Sequence, residues 1–366
     1  MKIRIRFISS LDPWILGSSI LLLLFGLLMI YSTSLESNLN LFKRQLVFAI
    51  IGLPIMFFLT FYDYKHLKKA TGIIYLVTLL SLIFVLFVGE NIRGSTRWIN
   101  VGFFNLQPAE FAKLAMVIIM AKFLDEHGEK LKNLKYVALS GIYVFLPVVL
   151  ILIEPDLGTS LVLFFTWFAM LMFSRMDKKQ LALLILCFVI LSVFSWFFVL
   201  HDYQKARIYT FLDPSQDPSG QGYNIIQAII AVGSGSLWGR GIGRGLQSQL
   251  EFLPERQTDF IFASTSEETG FLGSLFVISL FAIIFYRLIL LTKSSRDNFG
   301  MYLSLGIFFI FFIQALINIG MNIGLLPITG IPLPLLSYGG SSLITTLAAL
   351  GLAQSVALRR RALHFG

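Results

Sequence analysis

The sequence is dominated by apolar runs of roughly 20 residues, each the length a helix needs to cross a hydrocarbon layer about 30 Å thick. They occupy 14–32, 42–62, 68–88, 107–124, 135–153, 157–174, 180–200, 264–291, 301–326 and 338–358. Lipid offers no water to satisfy backbone N–H and C=O groups, so each run is expected to be a helix. The expected fold is an all-α polytopic membrane protein with about ten transmembrane helices, read as one domain over 1–366. Composition agrees: 56% of the residues are hydrophobic and only 13% charged, too few to cover a soluble domain of this length.

The basic residues orient the chain. Lys2, Arg4 and Arg6; Lys65, Lys68 and Lys69; Lys130, Lys132 and Lys135; Arg175, Lys178 and Lys179; Lys293 and Arg296; and Arg359, Arg360 and Arg361 occupy alternate connections. With ten crossings they share one side, which places both termini in the cytoplasm. The connections 89–106 and 201–263 then lie outside, the second a large extracytoplasmic loop between helices 7 and 8. A net charge of +9 could suggest nucleic acid, but the charge is clustered between apolar runs and forms no continuous stripe. The run from Trp14 to Ile30 exceeds a signal-peptide core and has no clear small-residue cleavage site, so a retained first helix is expected.

One cysteine, Cys187, excludes an intramolecular disulfide. Four dispersed histidines without HExxH argue against a zinc enzyme. The run GSGSLWGRGIGRG (233–245) fits neither phosphate-loop pattern and reads as a turn-rich connection. The segment 327–341, with three prolines and three glycines among apolar residues, predicts irregular backbone lining a cavity.

Ionisable residues at a membrane edge are costly and so are functional candidates. In 250–271 a helix is expected to begin near Thr258 or Asp259, placing Asp259, Ala263, Ser266, Glu267, Gly270 and Ser274 on one polar face. The bland alternative makes Asp259 a first-turn carboxylate favoured by the helix dipole. In QPAEFAK (107–113), Pro108 suits the first helical position and Glu110 the first turn, and Lys113 could simply pair with Glu110. The functional alternative sets a buried basic group beside an anionic substrate. Asp156 of EPDLGT (154–159) reads foremost as an N-cap. Arg93, Arg97, Lys205, Arg207, Arg240, Arg244 and Arg256 fall on the outer side, against the orientation rule. Together they suggest a phosphate-bearing ligand.

These motifs resemble the SEDS family of cell-wall proteins over nearly the whole chain. They are GSTRWI (94–99), QPAEFAK, EPDLGT, HDYQKAR (201–207), GYNIIQ (222–227), QSQLEFLPERQTDFIFA (247–263), SEETGF (266–271) and PLPLLSYGGSS (332–342). Glu255–Arg256 and the HDYQ loop look more like the rod-shape branch than the division branch. The resemblance implies a peptidoglycan glycosyltransferase polymerising lipid II into nascent glycan at the outer face of the bacterial cytoplasmic membrane during elongation. A class B penicillin-binding protein would be its transpeptidase partner, among membrane lipids and with no nucleic acid. The family's essential acid maps to Asp259, its QPxEFAK pair to Glu110 and Lys113, and its EPD aspartate to Asp156.

The expected catalytic residue is Asp259, as the base for the acceptor hydroxyl. Arg97, Lys113 and Arg207 are expected to neutralise the diphosphate, with Glu110 and Asp156 holding them and Glu255 and Arg256 also at the substrate. No cofactor is required by these motifs; a divalent cation such as Mg²⁺ bridging Asp259 and the diphosphate stays open, without a metal cluster to demand it. The rival readings are a lipid II flippase and a non-catalytic scaffold for a transpeptidase.

Overall fold

The computed structural model describes residues 11–35, 39–92, 95–102, 104–174, 176–198, 202–217 and 220–360. Arg93, Arg175, His201, Arg361 and the basic trio Lys2, Arg4 and Arg6 lie outside them. All ten apolar runs fall on helices. These are α1 (Pro13–Ser34), α2 (Asn40–Phe61), α3 (Tyr64–Val88), α4 (Pro108–His127), α5 (Leu134–Ile153), α6 (Leu157–Met172), α7 (Lys178–Phe198), α10 (Ile261–Ser294), α11 (Asn298–Asn322) and α12 (Gly340–Leu358). Between α7 and α10 run two shorter helices, α8 (Asp202–Leu212) and α9 (Gln221–Ser234), and the single turn Leu246–Gln249.

Among the described residues, eight helices are long and apolar enough to cross a membrane. The other two of the ten are α4, which carries Glu110, Lys113, Lys122, Asp125 and Glu126, and α6, which has only 16 residues. The starts of the helices follow from local chemistry. Asp12, Asp63, Asn133, Asp156 and Asp297 each accept a backbone N–H of the first turn at the heads of α1, α3, α5, α6 and α11, satisfying donors that a helix cannot pair internally.

The bundle is built around its last two helices. In α12, 89% of the apolar window is buried and in α11 72%, against 17% in α3 and none in α7. Without a hydrophobic drive inside lipid, helices associate by close backbone packing at small residues. A Cβ on Gly351 of α12 would sit 2.4 Å from the Met56 carbonyl of α2, and one on Gly52 of α2 2.5 Å from Leu347 of α12.

Two irregular regions shape one end of the bundle. The connection after α3 forms a small antiparallel sheet of β1 (Glu90–Ile92), β2 (Ser95–Asn100) and β3 (Asn105–Leu106), in that order. The second is a break in α10 at Gly270, where φ is 69° and ψ −164°. The Gly-rich run fills it: Arg240 N–H donates to Glu267 O at 3.0 Å, Gly241 N–H to Glu268 O at 3.0 Å, and Phe271 N–H to Ser236 O at 2.8 Å. That run therefore spends its backbone donors on a broken helix. The break also corrects the expectation of one continuous polar face from Asp259 to Ser274, because the segments on either side of Gly270 do not share a single helical track.

Candidate active site

Asp259 is not in a helix. The chain from Pro254 to Phe260 is a run of turns and α10 begins at Ile261, so the expected helix start near Asp259 is two residues early. The dipole explanation of its carboxylate loses its geometry, since Asp259 precedes the cap residue Phe260.

The turn is fixed from three sides. Asn318 and Asn322 of α11 donate side-chain N–H bonds to the Asp259 carbonyl at 3.0 and 2.9 Å, while Asn322 Oδ1 accepts the Ala263 N–H at 2.9 Å. Asn318 also donates to Ile331 O at 2.8 Å, tying the Pro/Gly segment to the same helix. Ser337 Oγ donates to Thr258 O at 2.6 Å, and Tyr338 N–H to Gln257 O at 2.7 Å. Gly330, at φ 72°, lies against the Asp259 carboxylate: a Cβ there would come within 3.6 Å of Oδ2. A side chain at position 330 would strain the backbone and extend toward the carboxylate.

From the Pro/Gly segment the network passes to the EPDLGT loop. A Cβ on Gly158 would lie 2.7 Å from Thr329 O, so only glycine admits this approach. Asp156 caps α6 as expected, accepting Thr159 N–H and Oγ–H at 3.0 Å each. Its Oδ2 also accepts Gln107 Nε2 at 3.0 Å and faces Arg97 Nη1 of β2 at 3.4 Å. Gln107 N–H donates to Ser341 Oγ at the head of α12, at 2.9 Å. Asp259, Asp156, Arg97 and Gln107, separated by up to 162 positions in sequence (259 − 97), thus belong to one connected polar layer.

Glu110 and Lys113 form the expected pair, at 2.8 Å and buried to 3% exposure each. They line a cavity of about 10 Å³ with Gln314 of α11 and Thr345 and Thr346 of α12, room for one water. Glu255, at φ 53°, accepts Thr258 Oγ–H at 3.0 Å and orders the turn. Arg256 is buried: its Nε donates to Thr33 O at 3.1 Å and its Nη2 to Glu251 at 3.0 Å, which straps the turn to the end of α1. Arg207 sits half-buried on α8, whose neighbours are α9 and the turn Pro214–Gln216. Its Nε is buried without a hydrogen bond among the described residues.

Three groups of the site lie beyond the sequence expectations. Asn318 and Asn322, one turn apart in an apolar helix, carry a signal in principle, because amides inside a spanning segment need a reason. Glu154 is masked in sequence by its neighbour Asp156, whose capping pattern is the plainer one. It is fully buried and neither carboxylate oxygen has a hydrogen bond among the described residues. Burial, and then the Asp156 charge, pushes its pKa up to about 8, with Arg97 pulling the other way.

The family model described as "Cell cycle protein", which spans FtsW, RodA and SpoVE, matches residues 14–362. This chain belongs to that family. It is 35% identical to the peptidoglycan glycosyltransferase MrdB of Escherichia coli K12 over 96% of this chain and 95% of that protein. It is 39% identical to the stage V sporulation protein E of Bacillus subtilis 168, over 95% and 97%. A solved chain from work on "Structural coordination of polymerization and crosslinking by a peptidoglycan synthase complex" superposes with a TM-score of 0.80 at 30% identity, covering 95% of this chain and 97% of that one. The polar layer around Asp259 therefore lies within the matched part of a multi-pass membrane protein of this family.

Proposed function

We propose that this chain is a peptidoglycan glycosyltransferase that polymerises lipid II at the outer face of the cytoplasmic membrane, with Asp259 as its base. The observation that carries the reading is the Asp259 turn itself, clamped through its backbone by Asn318 and Asn322, with the carboxylate beside Gly330. Relatives named as peptidoglycan glycosyltransferases supply the reaction class.

In the transfer, the acceptor sugar's hydroxyl oxygen bonds to the donor's anomeric carbon as the bond from that carbon to the diphosphate breaks. The hydroxyl proton passes to Asp259, and undecaprenyl diphosphate leaves with the electron pair. A diphosphate leaves readily once its charge is offset, so one carboxylate suffices where a hydrolytic glycosidase needs two. Arg97 is the cation best placed to offset that charge, being partly exposed and held by buried Asp156. Lys113 is neutralised by Glu110 and acts on the site through the packing of α4 against α11. Arg207 would join from α8 as donor binds. A divalent cation at Asp259 would take its other ligands from the diphosphate and water.

This reading takes the chain to cross ten times, with cytoplasmic termini and 201–263 outside, so that this layer would lie on the side where lipid II is consumed. A class B penicillin-binding protein as partner, and a role in elongation, follow the same reading. The solved complex coordinates polymerisation with crosslinking.

The test is lipid II polymerisation by the purified protein with its partner. Asp259→Asn keeps shape and removes basicity, and should abolish glycan product while complex assembly persists. Polymerisation near the wild-type rate would remove Asp259 from the base role. Assembly without polymerisation would also dispose of the scaffold reading.

A further inference from the structure

At the end of the bundle where α1 begins and α12 ends, three helix segments converge on one buried acid. Asp12, 1% exposed, caps α1, and its backbone N–H and C=O are both taken by the Gln354 side chain of α12, at 2.9 and 2.8 Å. Its carboxylate accepts two bonds from Arg287 Nε of α10, at 3.0 and 2.9 Å, and a further one from Nη2. Arg360 Nη1 stands 3.5 Å from the same carboxylate. Two guanidinium groups thus share one carboxylate, leaving an excess positive charge. Arg287 Nη1 has no hydrogen bond among the described residues, although a guanidinium carries donors for a second acceptor.

Arg287 also lines a groove of about 340 Å³, together with Trp14, Ala282, Ile283 and Tyr286. Trp14 and Tyr286 are 59% and 61% exposed; Trp14 begins the spanning helix α1, and Tyr286, eight residues before the end of α10, lines the same groove. Amphipathic aromatic rings at such positions settle at headgroup level, between acyl chain and water. The groove's lining is aliphatic and aromatic apart from Arg287, which offers a planar cation.

We propose that this groove binds the phosphate of an anionic phospholipid from the leaflet on the side of the termini. The Arg287 edge holds the phosphate, Arg360 adds charge, and Trp14 and Tyr286 flank the glycerol region. Anionic lipid is favoured over zwitterionic because Asp12 leaves one guanidinium charge uncancelled, and because Lys2, Arg4, Arg6 and Arg361 adjoin the site in sequence. This site is at the opposite end of the helices from Asp259, so the proposal stands apart from the glycosyltransferase reading.

The experiment reconstitutes the full chain in phosphatidylcholine nanodiscs that contain either phosphatidylglycerol or phosphatidylcholine with brominated acyl chains. Trp14 quenching is taken as the difference between the wild type and Trp14→Phe. At equal mole fraction, brominated phosphatidylglycerol should quench Trp14 about fivefold more effectively than brominated phosphatidylcholine. The excess should shrink in Arg360→Gln, which leaves the Asp12–Arg287 pair intact. It should vanish in Asp12→Asn/Arg287→Gln/Arg360→Gln, which removes all three charges together and so strands none. Equal quenching by the two lipids, or an excess that survives the triple substitution, overturns the proposal. Arg360→Gln keeps the test decisive if the triple variant fails to fold.

Discussion

Glu154 turns the burial of the site into a measurable pH dependence. Its carboxyl is raised from 4.5 to about 8, first by burial and then by Asp156. A carboxyl with a raised native pKa takes up a proton on folding, so the folded state binds more protons than the unfolded state between those two values. Stability therefore falls as pH rises through that window, and the cost is complete above about pH 8. At pH 7 the unfolded chain would have lost the proton that the native chain mostly keeps. The interval from 4.5 to 7 then costs about 3 kcal/mol, at roughly 1.4 kcal/mol per unit.

Glu154→Gln removes the ionisation. A protonated Glu and a Gln bring similar unpaired polar groups into the same space, so the comparison isolates the charge. Denaturant unfolding of both proteins in one detergent, followed across pH 5 to 8.5, should show little difference at the acid end. A gap in favour of the variant should then widen to about 3 kcal/mol at pH 7 and level off near pH 8. A gap that is flat with pH, or that grows toward acid, would refute a buried neutral Glu154.

Three further outcomes follow from the same contacts. Glu110→Ala should destabilise by about 3–5 kcal/mol, because it strands Lys113 as an unpaired buried charge; the double variant Glu110→Met/Lys113→Met should recover most of that in the same unfolding assay. Asn322→Ala should lower kcat for lipid II polymerisation several-fold while leaving the complex assembled, since it removes one of the two amide donors to the Asp259 carbonyl and strands the Ala263 N–H, at a stability cost of about 1–3 kcal/mol. Gly270→Ala should cost about 2 kcal/mol or more, measured as lost thermal stability, because its Cβ would meet Gly239 N at 2.3 Å and the backbone is held at φ 69°.

Much of this architecture is legible in the chain alone. Length and apolarity locate all ten helices, because lipid leaves the backbone no other way to pair its polar groups. The Asp156 cap, Pro108 at a helix start and the Glu110–Lys113 pair are local features that short-range chemistry dictates, and each is present. The irregular backbone of 327–339 follows from its prolines and glycines in the same way.

What sequence could not decide is set by contacts between distant segments. Helical periodicity carries α10 back to Asp259 because no local residue there forbids a helix. The turn exists because Asn318, Asn322, Ser337 and Tyr338, between 59 and 81 positions away, take up its backbone groups. Arg256 ranks with the ligand-binding arginines by its charge, and only packing turns its guanidinium inward to Thr33 and Glu251. Glu154 and Asp156 are near neighbours in one motif, yet one caps a helix and the other is buried without a hydrogen bond among the described residues. Spacing conveys which groups lie near each other along a helix. Burial and hydrogen-bond satisfaction depend on what the rest of the chain brings alongside, and these determine which carboxylate holds a helix, which holds a cation and which stays protonated at neutral pH.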